Sequence, residues 1–150
     1  LLQPFYELGR ETLSRLGSDH YMTMMALRPI RTEMTVAGKH QDLLIYRAAL
    51  NKVEAITIPG TWLGITEDIR SSTQELTVSF NAGDIVLLFT DGITEATNSK
   101  GDMFSQDRLE QALNRYADLP VRRLRDKIIE EVTSFQEKQA DDITLVVVKK

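Results

Sequence analysis

The sequence predicts an α+β fold, a layered sandwich of sheets and helices, on three observations. One helix-like segment precedes a block of strand-like ones and two follow it before a last strand, so helices and strands are segregated rather than alternating, which argues against a doubly wound sheet. Within the block the connections are short and rich in turn-forming residues, the pattern of antiparallel meanders. DIVLLF at 84–89 and LVVV at 145–148 are near-continuous apolar runs, as strands inside a covered sheet are. A chain of 150 residues with 42% apolar content fits one domain, 1–150, able to bury a core unaided.

The opening LLQPFYELGRETLSRLG places Leu1, Phe5, Leu8, Thr12 or Leu13, and Leu16 at three-to-four spacing, predicting a helix that stops at Gly17. YMTMMAL, RTEMTVAG, DLLIYRA, VEAITI, STQELTVSF and DIVLLFT then read as strands, with RPI, GKHQD, NK, PGTWLG and NAGD as turns between them. DIVLLFT requires cover on both faces. Ser105 is placed to cap a helix carrying Leu109, Leu113 and Tyr116 on one face. After Leu119-Pro120 a second helix has the stripe Val121, Leu124, Ile128, Val132 and Phe135. DDITLVVVKK supplies the last strand. No repeat, low-complexity stretch or linker interrupts the order. The chain begins Leu-Leu with its first apolar stripe already in progress, so it is expected to be a piece of a longer protein.

Several chemistries are excluded. With no cysteine there is no disulfide, thiolate metal site or cysteine nucleophile, which suits a reducing compartment; a cytoplasmic domain is expected, whatever tethers the parent chain. No apolar run reaches the length of a membrane helix, and no signal peptide is evident. A net charge of −4 gives no general attraction for nucleic acid, and the basic cluster VRRLRDK at 121–127 reads as a solvated helix face. His20 and His40 are the only histidines, without zinc-site spacing, and neither GxSxG nor GxxxxGK[ST] occurs. AGKH at 37–40 and PGTWLG at 59–64 read as glycine turns, with Trp62 half buried.

What remains is acidic. Asp91 follows the 84–90 run in TDG, and two readings stand for it. Asp-Gly between apolar runs is the sequence of a type I′ hairpin, with ITEAT as the returning strand; alternatively the carboxylate is held at a strand end for a ligand. Asp141 and Asp142 stand immediately before the last strand, where solvation of a helix-to-strand loop is the plain alternative. If the two apolar strands are antiparallel neighbours, Asp91 and Asp141 meet at one edge. Carboxylates so placed repel, and a hard divalent cation with a preference for oxygen ligands resolves the conflict.

These residues resemble a known family. GDIVLLFTDGITEATNSKGDMF before a helix, and QADDITLVVVK at the end, are similar to the closing half of the SpoIIE/RsbU-like branch of bacterial PPM (PP2C-type) serine/threonine phosphatases. YMTMMAL, TVAGKHQDLLIYRA and WLGI resemble the family's upstream strand, AGH turn and PLGI segment in order, so the resemblance covers nearly the whole chain. It implies an αββα four-layer sandwich, N-terminally truncated here, with two Mn²⁺ or Mg²⁺ ions at one edge. Asp91 and Asp141 match metal-ligating aspartates of the family. Gly92 would permit close backbone approach, and Glu95, Asp142 and Thr144 match as supporting or shaping groups. No catalytic residue beyond the metal ligands is implied, because a metal-activated water attacks phosphorus without a protein nucleophile.

Two departures bear on substrate contacts: Lys39 follows Ala37-Gly38 where the family has histidine, and Trp62 stands for proline in WLGI. A third bears on the metals. The family's GDVxGHG motif has no match among GSD at 17–19, GD at 83–84 or GD at 101–102, and its place would fall upstream of Leu1. The 150 residues alone are therefore expected to bind metal weakly and to be inactive. By resemblance, the intact protein dephosphorylates a regulatory phosphoprotein, a STAS-type anti-sigma-factor antagonist, under an upstream sensor or receiver domain, with no nucleic-acid partner. Apolar surface left by a missing leading strand and helix would be covered by self-association into a homodimer. The alternative is a pseudophosphatase that binds the same partner without chemistry.

Overall fold

The chain runs α1 (Leu2–Leu16), β1 (Met24–Ile30), β2 (Glu33–Lys39), β3 (Leu43–Arg47), β4 (Lys52–Ile56), β5 (Leu76–Ser79), β6 (Ile85–Phe89), α2 (Asp91–Thr94), α3 (Ser105–Tyr116), α4 (Val121–Phe135) and β7 (Leu145–Lys149). This computed structural model describes residues 2–16, 20–66 and 68–150, apart from the side chains of Leu2, Phe5, Leu13 and Leu16. Two compact units result: residues 1–40 with 57–81, and residues 41–56 with 82–150.

The first unit holds α1 and an antiparallel sheet in the order β1-β2-β5. Central β2 buries Met34, Val36 and Ala37, while edge β1 is only partly covered. RPI is not the predicted turn. Arg28, Pro29 and Ile30 extend β1, and the reversal falls at Arg31 and Thr32, with Arg31 at φ 52°. Proline lacks the N–H that an inner strand must donate, and an edge strand tolerates that loss. From α1, Tyr6 and Leu8 pack on Ala37, Leu63 and Ile69, and buried Thr12 returns its hydroxyl to the Leu8 carbonyl at 2.8 Å. The rest of the expected α1 stripe, Leu1, Phe5, Leu13 and Leu16, and the stop at Gly17 lie outside the described residues and side chains. Tyr21 and Met22 stand apart from β1. Met22 forms a bridge with Leu63, and Tyr21 stacks on Trp62, 39% exposed, with ring centroids 4.8 Å apart.

The second unit holds a fully antiparallel sheet in the order β4-β3-β6-β7. Central β6 buries Ile85, Val86, Leu87 and Phe89, as its continuous apolar run requires. Leu109, Ala112 and Leu113 of α3 and Leu124, Ile128 and Val132 of α4 close over Leu44, Tyr46, Ile85, Leu87 and Phe89. Each such buried aliphatic contributes on the order of 1.5–3 kcal/mol. The predicted stripes of both helices thus face the sheet, and Arg122, Arg123, Arg125 and Lys127 are solvated. Ser105 does not cap α3. It is the helix's first residue, at φ 68°, after Phe104 in a helical conformation, and no side chain caps that end. Strand β7 differs from β6: Leu145 and Val147 pack on the core, whereas Val146 and Val148 are 45% and 40% exposed.

Asp84, just before β6, ties three strands together. Its carboxylate accepts from the Ala48 N–H at 3.0 Å and from Arg47 at 3.2 Å, and Arg47 also binds Glu54 at 2.7 Å. Antiparallel sheets and packed helices in this arrangement are the α+β class read from the sequence.

Candidate metal-binding site

Phe89 pairs with Leu145, so the C-terminal end of β6 lies beside the N-terminal start of β7, and the TDG and DDIT segments emerge at the same edge. The first does not turn back as a hairpin. Asp91–Thr94 forms one helical turn, closed by the Glu95 N–H donating to the Asp91 carbonyl at 2.8 Å, and β7 rather than ITEAT pairs with β6. The helical turn projects Asp91 at the end of a buried strand, where a hairpin would have carried it away from the sheet.

Thr90 fastens the two segments. Its hydroxyl donates to the Asp142 carbonyl and accepts from the Thr144 N–H, each at 2.9 Å, while its own N–H donates to the Thr144 carbonyl at 3.1 Å. Gly92 completes the contact: a Cβ built there would stand 2.4 Å from the Asp142 oxygen and 3.4 Å from the Asp141 carbonyl carbon. Only a residue without a side chain lets the two backbones meet. Asp141 accepts the Asp142 N–H at 2.7 Å, which holds the acidic pair in a tight turn, and Gln139 donates to the Asp141 carbonyl at 3.0 Å.

Asp91, Gly92, Asp141, Asp142 and Thr144 therefore share one edge, and Glu95 lies one turn further along with its side chain exposed. Thr90 was not singled out in the sequence, although a threonine at the end of each apolar strand, Thr90 and Thr144, was its visible trace. The carboxylates of Asp141 and Asp142 are exposed and that of Asp91 is partly so, and Gln139, Ala140, Asp141 and Asp142 line a shallow hollow of about 290 Å³. Among the described residues, no group of three or more histidine, aspartate or glutamate side chains converges as a cation cage. The candidate donors on the two turns are hard oxygens, carboxylates and backbone carbonyls, a chemistry that suits Mg²⁺ or Mn²⁺ rather than a softer metal. Glycine at 92 leaves the backbone of Asp142 beside that of the TDG turn with no side chain between them.

No curated protein matches the chain in sequence. Solved structures match its fold. The RsbU and RsbW domains of Rv1364c from Mycobacterium tuberculosis superpose with a TM-score of 0.74 at 21% identity, covering 93% of this chain and 38% of that one. The SiaA-PP2C domain of Pseudomonas aeruginosa gives 0.68 at 19% identity over 80% of this chain and 47% of its own. The phosphatase domain of the cell fate determinant SpoIIE from Bacillus subtilis, presoaked with Mn, gives 0.64 at 15% identity over 99% of this chain and 70% of its own. The chain thus spans less than half of the first two. The family model of stage II sporulation protein E matches residues 5–150, a span that includes both acidic segments. With the sheets, the TDG turn and the DDIT turn all inside that match, the chain belongs to the SpoIIE family and has the α+β fold of the metal-dependent PP2C-type phosphatases.

Proposed function

We propose that this chain is part of a protein serine/threonine phosphatase domain in which Asp91 and Asp141 ligate Mn²⁺ or Mg²⁺. The observation that carries the proposal is the joining of the TDG and DDIT segments through Thr90 and across Gly92. When bound, such cations supply Lewis acidity toward a phosphoryl oxygen and lower the pKa of a water. Asp91 and Asp141 provide the anionic oxygens, Thr90 and Thr144 hold their backbones in register, and Gly92 keeps the approach open. Glu95 and Asp142 shape the rim.

The exposed, shallow setting favours a phosphorylated side chain presented by another protein over a small molecule enclosed on all sides. We take the substrate to be a phosphoserine or phosphothreonine on a regulatory protein, a STAS-type anti-sigma-factor antagonist. That reading rests on the family resemblance and on a neighbour that carries RsbU and RsbW domains together. An upstream sensor or receiver domain would supply control. The second reading, a binding module without chemistry, draws on the absence of a converged three-ligand group among the described residues.

Hydrolysis of p-nitrophenyl phosphate with Mn²⁺, by this chain and by a form extended to include a GDVxGHG motif, separates the readings. Turnover only by the extended form is expected. Robust turnover by the 150 residues alone overturns the need for a further motif, and an inert extended form favours the binding module. Calorimetry of Mn²⁺ binding to Asp91→Asn and Asp141→Asn tests the ligands: unchanged affinity in both removes them from the site.

A further inference from the structure

A second hollow of the 41–56 and 82–150 unit, about 660 Å³ in volume, runs between β4 and α3, well apart in sequence from the acidic rim. We propose that it takes an extended, basic segment of a partner protein, which adds to the sheet as a new strand on β4. The proposal does not depend on the phosphatase reading.

Strand β4 is the end of the order β4-β3-β6-β7 and is paired only with β3. In an antiparallel pair alternate backbone groups point away from the partner, so β4 presents a row of N–H and C=O groups on its free side. No backbone bond other than those to β3 engages Lys52–Ile56 among the described residues. Val53, opposite Tyr46, is partly buried and gives the hollow an apolar floor continuous with the core. Ala55, opposite Leu44, is exposed and small, so it does not screen the backbone. An open strand edge flanked by a helix is the arrangement that binds peptides by strand addition, with main-chain bonds giving affinity and the flanking side chains giving selectivity.

The helix wall sets the charge of the occupant. Asp107, Glu110 and Gln111 lie on one face of α3 at three-to-four spacing and line the groove with Lys52 and Arg115. Arg115 is already neutralised by Glu131. Glu110 receives only a neutral amide, that of Gln106 at 2.9 Å, and Asp107 carries no partner among the described residues. Two carboxylates thus face the single ammonium of Lys52, and a lysine or arginine on the incoming strand answers the excess. The plainer reading makes Asp107 a complement to the helix dipole and Lys52 a guard against pairing. It leaves Glu110 and the open backbone unexplained, because the other charge of the strand, Glu54, is spent on Arg47.

The test is an amide NMR titration of the whole chain with a blocked synthetic peptide of alternating threonine and lysine. Saturable shifts confined to Lys52–Ile56 and to the α3 residues from Asp107 to Arg115 are expected. The double variant Asp107→Lys, Glu110→Lys, at an exposed and a half-buried position of α3, should weaken binding by about tenfold or more. N-methylation of alternate peptide amides on the pairing edge should abolish it. Shifts elsewhere, no shifts, equal binding of a threonine–glutamate peptide, or binding indifferent to N-methylation would each overturn the proposal.

Discussion

Gly92 and Asp142 meet backbone to backbone, so closely that a methyl group on Gly92 would stand 2.4 Å from the Asp142 carbonyl oxygen. Gly92→Ala must push the DDIT turn away from the TDG turn, and overpacking of this kind costs roughly 1–3 kcal/mol. Thermal melts should show that loss, and Mn²⁺ affinity should fall with it. A variant with unchanged melting would mean that the DDIT turn yields without cost.

Thr90 serves both turns through one hydroxyl. Thr90→Val keeps the shape but leaves the Thr144 N–H and the Asp142 carbonyl without that partner, a loss of about 1 kcal/mol at a solvent-accessible site. Thr90→Ser retains both bonds and should behave as the parent in melts and in Mn²⁺ titration. A loss in Thr90→Ser with none in Thr90→Val would assign the role to the methyl group instead.

Asp84 is the buried charge of the sheet, 2% exposed and held by Arg47 and the Ala48 N–H. Asp84→Ala takes one of two carboxylates from the largely buried guanidinium of Arg47 and the acceptor from the Ala48 N–H, and should cost about 1–3 kcal/mol in urea denaturation. A cost near zero would show that Glu54 alone satisfies Arg47.

Asp68 binds Arg70 through its carboxylate, and the Arg70 side-chain hydrogen bond, with the Arg70 backbone N–H, lowers its pKa from 3.8 to about 2. A carboxyl group with a depressed native pKa stabilises the fold fully above its unfolded value and loses that contribution as pH falls through the native value. The local clamp should therefore persist at pH 4 and open only on approach to about pH 2, followed by the Asp68 carboxyl carbon in NMR. A midpoint at the ordinary carboxylate value would refute the clamp.

Val146 and Val148 stand exposed on β7, an edge strand that is otherwise apolar. Such an edge invites pairing with another chain. Sedimentation should show concentration-dependent self-association, suppressed by Val146→Lys with Val148→Lys. A monomer at all concentrations would remove β7 as the contact.

Much of this was legible because periodicity records burial. The stripes of α3 and α4 face the sheet as read, and the continuous run of β6 marks its central place. The apposition of Asp91 and Asp141 segments followed from two apolar strands each ending in acid. The misreadings share a cause: local preference yielded to position in the sheet. Pro29 looked like a turn but lies in a strand whose edge place needs no N–H donor. Of the two readings left open for Asp-Gly, the hairpin falls because β6 already has β3 and β7 on its two sides, leaving no place for ITEAT. The apolar run of β7 implied two covered faces, whereas Val146 and Val148 are exposed on one of them. Thr90 escaped notice because its role is a bond to residues some fifty positions away, which no local pattern encodes.

That separation carries a consequence for how the acidic edge comes into being. Between Thr90 and Asp142 the chain completes α2, α3 and α4, so the two turns are neighbours only when that excursion has returned β7 to β6. An unfolded or half-folded chain holds them apart at the entropic cost of closing a long loop. Any ligand that needs both turns is thus blind to incomplete states, and by mass action it favours the finished unit over them. The edge is a checkpoint that registers whether the excursion through α3 and α4 has come home.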